Sequence, residues 1–224
     1  MSRYQRFQRP WWVLLACSAA VLWSLLPWLR PALFPAAGRP WLVVLDGYHR
    51  LDHALTLQGQ EPFRGWPIVL ITCPVTGQPT ALQRAQASAP LSVHLERPPL
   101  GGDTAGQAVA LAKWLHQLPL QSRPRRVLLL SDLHHFPRAA WTAQIAVGGL
   151  GTVVHSWAVD AGAPRFPLDR WTWPQLGPAL RDALRLQAWR ISGSTLSELD
   201  SEKRQKKAQA CVKRGGMVTS TKGL

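Results

Sequence analysis

Short apolar runs recur along the chain after residue 40, and each ends in polar or turn-forming residues. The clear runs begin at Trp41, Ile68, Val127 and Thr152, and a weaker one covers residues 91–95. Their residues are continuously apolar, not alternating, which is typical of strands buried on both faces of a parallel sheet. We therefore predict a mostly parallel sheet of about five strands.

Helical spacing appears between these runs. Ala108, Leu111, Ala112 and Leu115 follow the i, i+3, i+4, i+7 spacing of one helix face. Asp103 stands where it can cap the start of that helix. Because strands and helices alternate over residues 41–190, we predict one three-layer α/β domain there.

A different pattern precedes this domain. Residues 11–29 are 19 residues without a charge, which at 1.5 Å per residue can just cross a hydrocarbon core of about 30 Å. Trp11, Trp12 and Trp28 lie at the ends, where indole rings favour the lipid–water interface. We predict one transmembrane helix; a cleaved signal peptide and a buried core helix are the alternatives. Residues 30–40, with Pro35 and Gly38, are predicted to be a linker.

The charges flanking this segment predict its orientation. Arg3, Arg6 and Arg9 make residues 1–10 basic, whereas Arg30 and Arg39 follow the segment. This bias favours a cytoplasmic N-terminus. The α/β domain would then lie outside the cytoplasm, held at the cell membrane by a single crossing of the lipid bilayer.

The formal net charge of +14 does not by itself indicate nucleic-acid binding. Half of it comes from the two ends of the chain, and no element interleaves Lys or Arg with exposed aromatic residues. Residues 191–224 hold five of the six lysines and lack an apolar period. We predict a disordered basic tail, with an amphipathic helix around residues 199–212 as the alternative. Of the three cysteines, at most Cys73 and Cys211 could pair.

Polar residues gather where the predicted strands end. In an open parallel sheet these carboxyl ends share one edge, where ligands bind. A glycine-bearing helix start and a forked guanidinium both suit phosphate, and a histidine can donate, accept or shuttle a proton. The predicted ligand-binding residues are Asp46, Arg50, Gly102, Asp103, Thr104, Ser131, His135 and Arg138.

Metal binding is the weaker interpretation of this edge. Asp46, His49, Asp132, His134 and His135 include suitable donor types. No HExxH or CxxC spacing fixes a site, so we predict no metal centre. No cofactor follows from these motifs.

The order of these motifs resembles the SanA/ElyC/YdcF family. The segment from Val127 to Ser131, followed by His135-Phe136-Pro137-Arg138-Ala139, is similar to the family's strand, Ser/Thr turn and His-x-x-Arg-Ala helix start. Glu96, Asp103-Thr104 and Arg50 resemble its acidic residue, helix entry and early arginine. The resemblance covers about residues 41–160.

This resemblance implies a Rossmann-like domain outside the membrane, with a role in envelope or cell-wall biogenesis and a phosphate-bearing or nucleotide-like ligand. A small molecule or a lipid carrier could supply that phosphate. The family's glycine-rich turn after the first strand is reduced here to Asp46-Gly47, and its Ser-Gly-Gly is Thr72-Cys73-Pro74. A non-catalytic, membrane-tethered scaffold with a degenerate site therefore remains the alternative.

Overall fold

A computed structural model describes residues 8–45, 48–72, 93–96, 103–165, 173–194 and 206 of the chain. Its helices are α1 (Gln8–Leu33), α2 (Tyr48–Gln58), α3 (Thr104–Gln117), α4 (Phe136–Val147) and α5 (Trp173–Ser192). Its strands are β1 (Trp41–Leu45), β2 (Ile68–Ile71), β3 (Val93–Glu96), β4 (Arg126–Ser131), β5 (Val153–Ala158) and β6 (Ala163–Arg165).

The strands form one sheet in the order β3-β2-β1-β4-β5-β6. The first five are parallel, and β6 pairs antiparallel with β5. The prediction of an α/β domain with a mostly parallel sheet is confirmed, and the short β6 is an addition to it.

Alternate side chains of the central strands enter two separate cores. Leu42 and Val44 of β1 pack with Leu51 of α2 on one face of the sheet. Val43 and Leu45 pack on the other face with residues of α3, α4 and α5. Helices thus cover both faces of the sheet, which completes the three layers.

The predicted helix starts are also present. The Asp103 side chain accepts a hydrogen bond from the Gly106 amide at 2.7 Å and so caps α3. Pro137 lies in the first turn of α4, where its missing N–H leaves no helical hydrogen bond unmade.

Helix α1 begins as an exposed apolar rod and ends against the α/β domain. Residues Trp11–Leu33 are long and apolar enough to cross a membrane, a property that a signal sequence shares. Only 6% of its most apolar stretch is buried, so α1 is not a core helix. It continues to Leu33 through Pro27 and Pro31, four residues beyond the predicted end.

The segment predicted as a linker is hydrogen-bonded to the domain. The Ala36 amide donates to the Gly151 carbonyl at 3.0 Å, and the Gly38 amide donates to the Arg123 carbonyl at 2.7 Å. Gly151 has φ of +84°, and a Cβ there would lie 2.6 Å from the Phe34 carbonyl oxygen. This close approach requires glycine. Of the predicted basic tail, the described residues include only 191–194 and Lys206, which is helical.

Candidate functional site

The strand order reverses between β1 and β4, and the candidate site lies at the carboxyl ends of these two strands. From β1 the chain moves outward through β2 to β3, then returns to place β4 on the other side of β1. The helix after β1 covers one face and the helix after β4 covers the other. Such a reversal leaves a crevice between the two helix starts.

Arg50 and Asp132 join the two sides of this crevice. Nε of Arg50, from the first turn of α2, donates to Oδ1 of Asp132 at 3.0 Å, and its Nη2 forms an ion pair with Oδ2. Nη1 donates to the carbonyl of Leu45 at the end of β1. The forked guanidinium therefore ties α2 to the turn after β4.

Asp132 also contacts His49. Nε2 of His49 lies 3.0 Å from Oδ1 of Asp132, and the tautomer protonated at Nε2 donates that hydrogen bond. The hydrogen bond from Arg50 holds the pKa of Asp132 well below its usual range, against the opposing effect of burial, and His49 acts in the same direction. Asp132 is therefore ionised at neutral pH.

His135 lies at the start of α4, beside the same carboxylate. Its imidazole packs on that of His134, with ring centroids 4.1 Å apart. Desolvation lowers the pKa of His135 from its ordinary value, and the charges of His134, Arg50 and Arg138 lower it further, against the raising effect of Asp132. His135 is therefore mainly neutral at pH 7 and can accept a proton.

Arg138 is one turn further along α4 and pairs with α5. Its Nε donates to Oδ2 of Asp182 at 2.7 Å, and its Nη2 lies 2.6 Å from the same oxygen. The Asp182 side chain is completely buried, whereas 22% of Arg138 is exposed. Nη1 of Arg138 makes no hydrogen bond to any described residue.

Two further arginines of α5 complete this cluster. Arg181 binds the other oxygen of Asp182 at 2.8 Å. Arg185 lies 4.0 Å from Asp182 and 2.6 Å from Asp103, the cap of α3. Three guanidiniums thus surround two carboxylates, and the cluster links α3, α4 and α5.

No family model, curated protein or solved structure matches the chain.

The structure brings together some of the predicted site residues and separates others. Arg50 and His135 share the crevice between β1 and β4. Ser131 is the buried last residue of β4. Arg138 and Asp103 lie in the arginine–aspartate cluster beside that crevice. Thr104 is the half-buried first residue of α3, and Asp46 and Gly102 lie outside the described residues.

Sequence reasoning did not assign Asp132 or Asp182 to the ligand site. Asp132 directly follows β4, so its position after a strand was a usable signal. Asp182 gave no comparable signal, because it lies in the middle of α5, far along the chain from the residues it contacts. Among the described residues, no group of three or more His, Cys, Asp or Glu is arranged to hold a metal ion.

Proposed function

We propose that this chain is a single-pass membrane protein whose α/β domain binds a phosphate-bearing or nucleotide-like ligand at the carboxyl edge of its sheet. The resemblance to the SanA/ElyC/YdcF family supports a role in envelope or cell-wall biogenesis, at the cell membrane with the domain outside the cytoplasm.

The reversal of strand order between β1 and β4 is the observation that carries the ligand proposal. It opens a crevice between the starts of α2 and α4, and both helices bring cationic or hydrogen-bond-donating side chains to it. Arg50 and His49 come from α2, whereas His135 comes from the start of α4, with Arg138 one turn further along. An anionic ligand placed there would also meet the positive end of the α4 dipole.

The docking of α1 supports an anchor that is retained. Pro27 accepts a hydrogen bond from Gln144 at 2.7 Å, and Trp28 packs on Trp141 with ring centroids 5.0 Å apart. A cleaved signal sequence has no need of such contacts with the mature domain. Arg190 of α5 also donates to the Trp23 carbonyl at 3.2 Å, so the exposed residues before Trp23 form the part of α1 proposed to lie in the bilayer.

A non-catalytic scaffold is the second candidate function, and one observation favours it. Both arginines of the predicted anion site already pair with carboxylates, Arg50 with Asp132 and Arg138 with Asp182. A site that has lost its ligand would keep such pairs for stability alone.

A binding experiment distinguishes these two functions. We expect nucleotides, sugar nucleotides or pyrophosphate to raise the melting temperature of the full chain in detergent. His135→Ala should weaken binding by about tenfold, the loss of one hydrogen bond to a charged group. His116→Ala, at an exposed position near the end of α3, is the matched control and should not. If none of these compounds stabilises the wild-type chain, the scaffold is the better proposal.

A further inference from the structure

A pocket of about 470 Å³ lies at the opposite, amino edge of the sheet, between α1 and β5. Trp28, Pro31 and Pro35 form its apolar wall, and Arg125, Arg126 and His155 form its polar wall. Its volume falls within the range of small-molecule sites. It is separate from the carboxyl edge, because α4 spans the sheet between the two.

The polar wall carries uncompensated positive charge. Arg125 and Arg126 are both exposed, and neither guanidinium has an ion-pair or hydrogen-bond partner among the described residues. None of the described residues that line the pocket carries a carboxylate. Burial and the charge of Arg126 lower the pKa of His155, so its neutral ring can donate or accept a hydrogen bond. These groups are complementary to a phosphate.

Exposed apolar residues also follow Trp28 along the chain. Trp28 is 36% exposed, Leu29 and Leu33 of α1 are 45% and 68% exposed, and Phe34 after it is 71% exposed. If the phosphate of a ligand bound the two arginines, an acyl chain of the same ligand could therefore contact the exposed apolar residues of α1. Free phosphate would make no use of this wall.

We propose that this pocket binds the phosphate headgroup of a membrane lipid, with Arg125 and Arg126 contacting the phosphate and Trp28 lying beside the first part of the acyl chain. The proposal rests on the membrane anchoring proposed above, because α1 brings the pocket to the lipid surface. It does not depend on the ligand of the carboxyl edge.

Calorimetric titration of the purified full chain in detergent tests the pocket directly. Three probes separate the possible sources of binding: dioctanoyl phosphatidic acid, dioctanoylglycerol, which lacks the phosphate, and inorganic phosphate, which lacks the chains. We expect only phosphatidic acid to bind. Binding by inorganic phosphate of equal strength, or no binding of phosphatidic acid, would overturn the proposal.

Two double variants that remove the same charge locate the site. Arg125→Gln with Arg126→Gln should weaken phosphatidic acid binding by more than about tenfold, since two hydrogen-bonded charges are lost. Arg30→Gln with Arg39→Gln removes two exposed cations from the same edge, outside the pocket lining, and should retain the affinity. Equal losses in both variants would show diffuse attraction to a basic edge and would contradict a pocket. Because the titration uses short-chain lipid in detergent, its result is independent of where the chain resides in the cell.

Discussion

Asp132, in the turn after β4, accepts hydrogen bonds from Arg50 and His49 of α2 across the crevice, so its charge state affects the stability of the carboxyl edge. Its side chain is only 13% exposed, and its pKa in the folded chain is well below the unfolded value of 3.8. Above about pH 5 the carboxylate is ionised in both states, and the ion pair contributes fully. Below the unfolded value, the unfolded chain binds a proton that the folded chain does not, and stability declines.

We expect Asp132→Asn to lower the free energy of unfolding at pH 7 by about 1.5–3 kcal/mol, the range for hydrogen bonds to charged groups. The difference from wild type should shrink as the pH falls from 5 to 3. Denaturant unfolding of the full wild-type and variant chains at pH 5 and at pH 3 measures this difference in free energy. Glu61→Gln, which removes a carboxylate that is 69% exposed, is the control and should have little effect at either pH. A difference that does not change with pH would contradict the assigned pKa direction.

The cluster around Asp182 predicts unequal effects for its members. Asp182→Asn removes the negative charge shared by Arg138, Arg181 and Arg185. It should lower the free energy of unfolding by about 3–5 kcal/mol, as expected for breaking a buried ion pair. Arg181→Ala should lower it by about 1 kcal/mol or less, because its side chain is 31% exposed and two other guanidiniums remain. Denaturant unfolding ranks the two variants, and equal costs would contradict this assignment.

Arg138 joins this cluster to the candidate ligand site. From the sequence alone, Arg138→Ala is expected to weaken anion binding by about 1.5–3 kcal/mol and to leave folding mostly intact. Because Arg138 pairs with the buried Asp182 in the structure, we expect Arg138→Ala to lower the free energy of unfolding as well. Affinity and unfolding measured on the same variant separate the two roles: loss of stability with unchanged affinity would make Arg138 a structural residue only.

At the scale of the elements, the apolar runs predicted the central parallel strands because β2 is buried throughout and β1 and β4 are buried after their first residue. The same reasoning missed α5, whose pattern is misleading. Leu176, Leu180 and Leu184 are exposed, whereas the side facing the domain includes Asp182 and Arg185. A helix that buries charges and exposes leucines cannot be oriented from hydrophobicity. The partners of those charges are distant in sequence, so the arginine–aspartate cluster could not be predicted either.

The contact between α1 and the domain depends on Gly148. A Cβ at this position would lie 1.9 Å from the Pro27 carbonyl oxygen and 2.6 Å from Nε2 of Gln144. Since a backbone atom cannot move aside as a side chain does, Gly148→Ala should displace α1. The adjacent Gly149 has nothing within 4 Å of the corresponding position, which makes Gly149→Ala a matched control.

We expect hydrogen exchange at Ala36 and Gly38, whose amides bond to the domain, to accelerate in Gly148→Ala and to stay unchanged in Gly149→Ala. Exchange in β1 and β4 should remain slow in both variants, because their amides bond within the centre of the sheet. Mass spectrometry of the corresponding peptides measures these rates. Unchanged exchange at Ala36 in Gly148→Ala would show that α1 tolerates the extra methyl group.

For the whole molecule, the proposed anchor predicts a topology. The uncharged residues 11–29 and the flank of Arg3, Arg6 and Arg9 predict that the N-terminus lies inside. Reporter fusions at residues 60 and 195 should both be active only outside the cytoplasm. Mass spectrometry of the purified protein should also give an intact mass that includes residues 1–33. Cytoplasmic activity at both positions would overturn the orientation, and a shortened mass would identify a cleaved signal sequence.

The attachment of α1 at one end of α4 has a geometric consequence for an anchored domain. Helix α4 has 12 residues and so is about 18 Å long. It runs from the carboxyl edge to Gly148, which contacts Pro27 of α1. With residues 34–38 bonded to the domain, the chain has no loose tether on which the domain could rotate. The crevice of Arg50 and His135 would therefore stay about 18 Å along α4 from the docked end of α1. A ligand still embedded in the bilayer would have to extend its head group over that distance, whereas a water-soluble ligand would not.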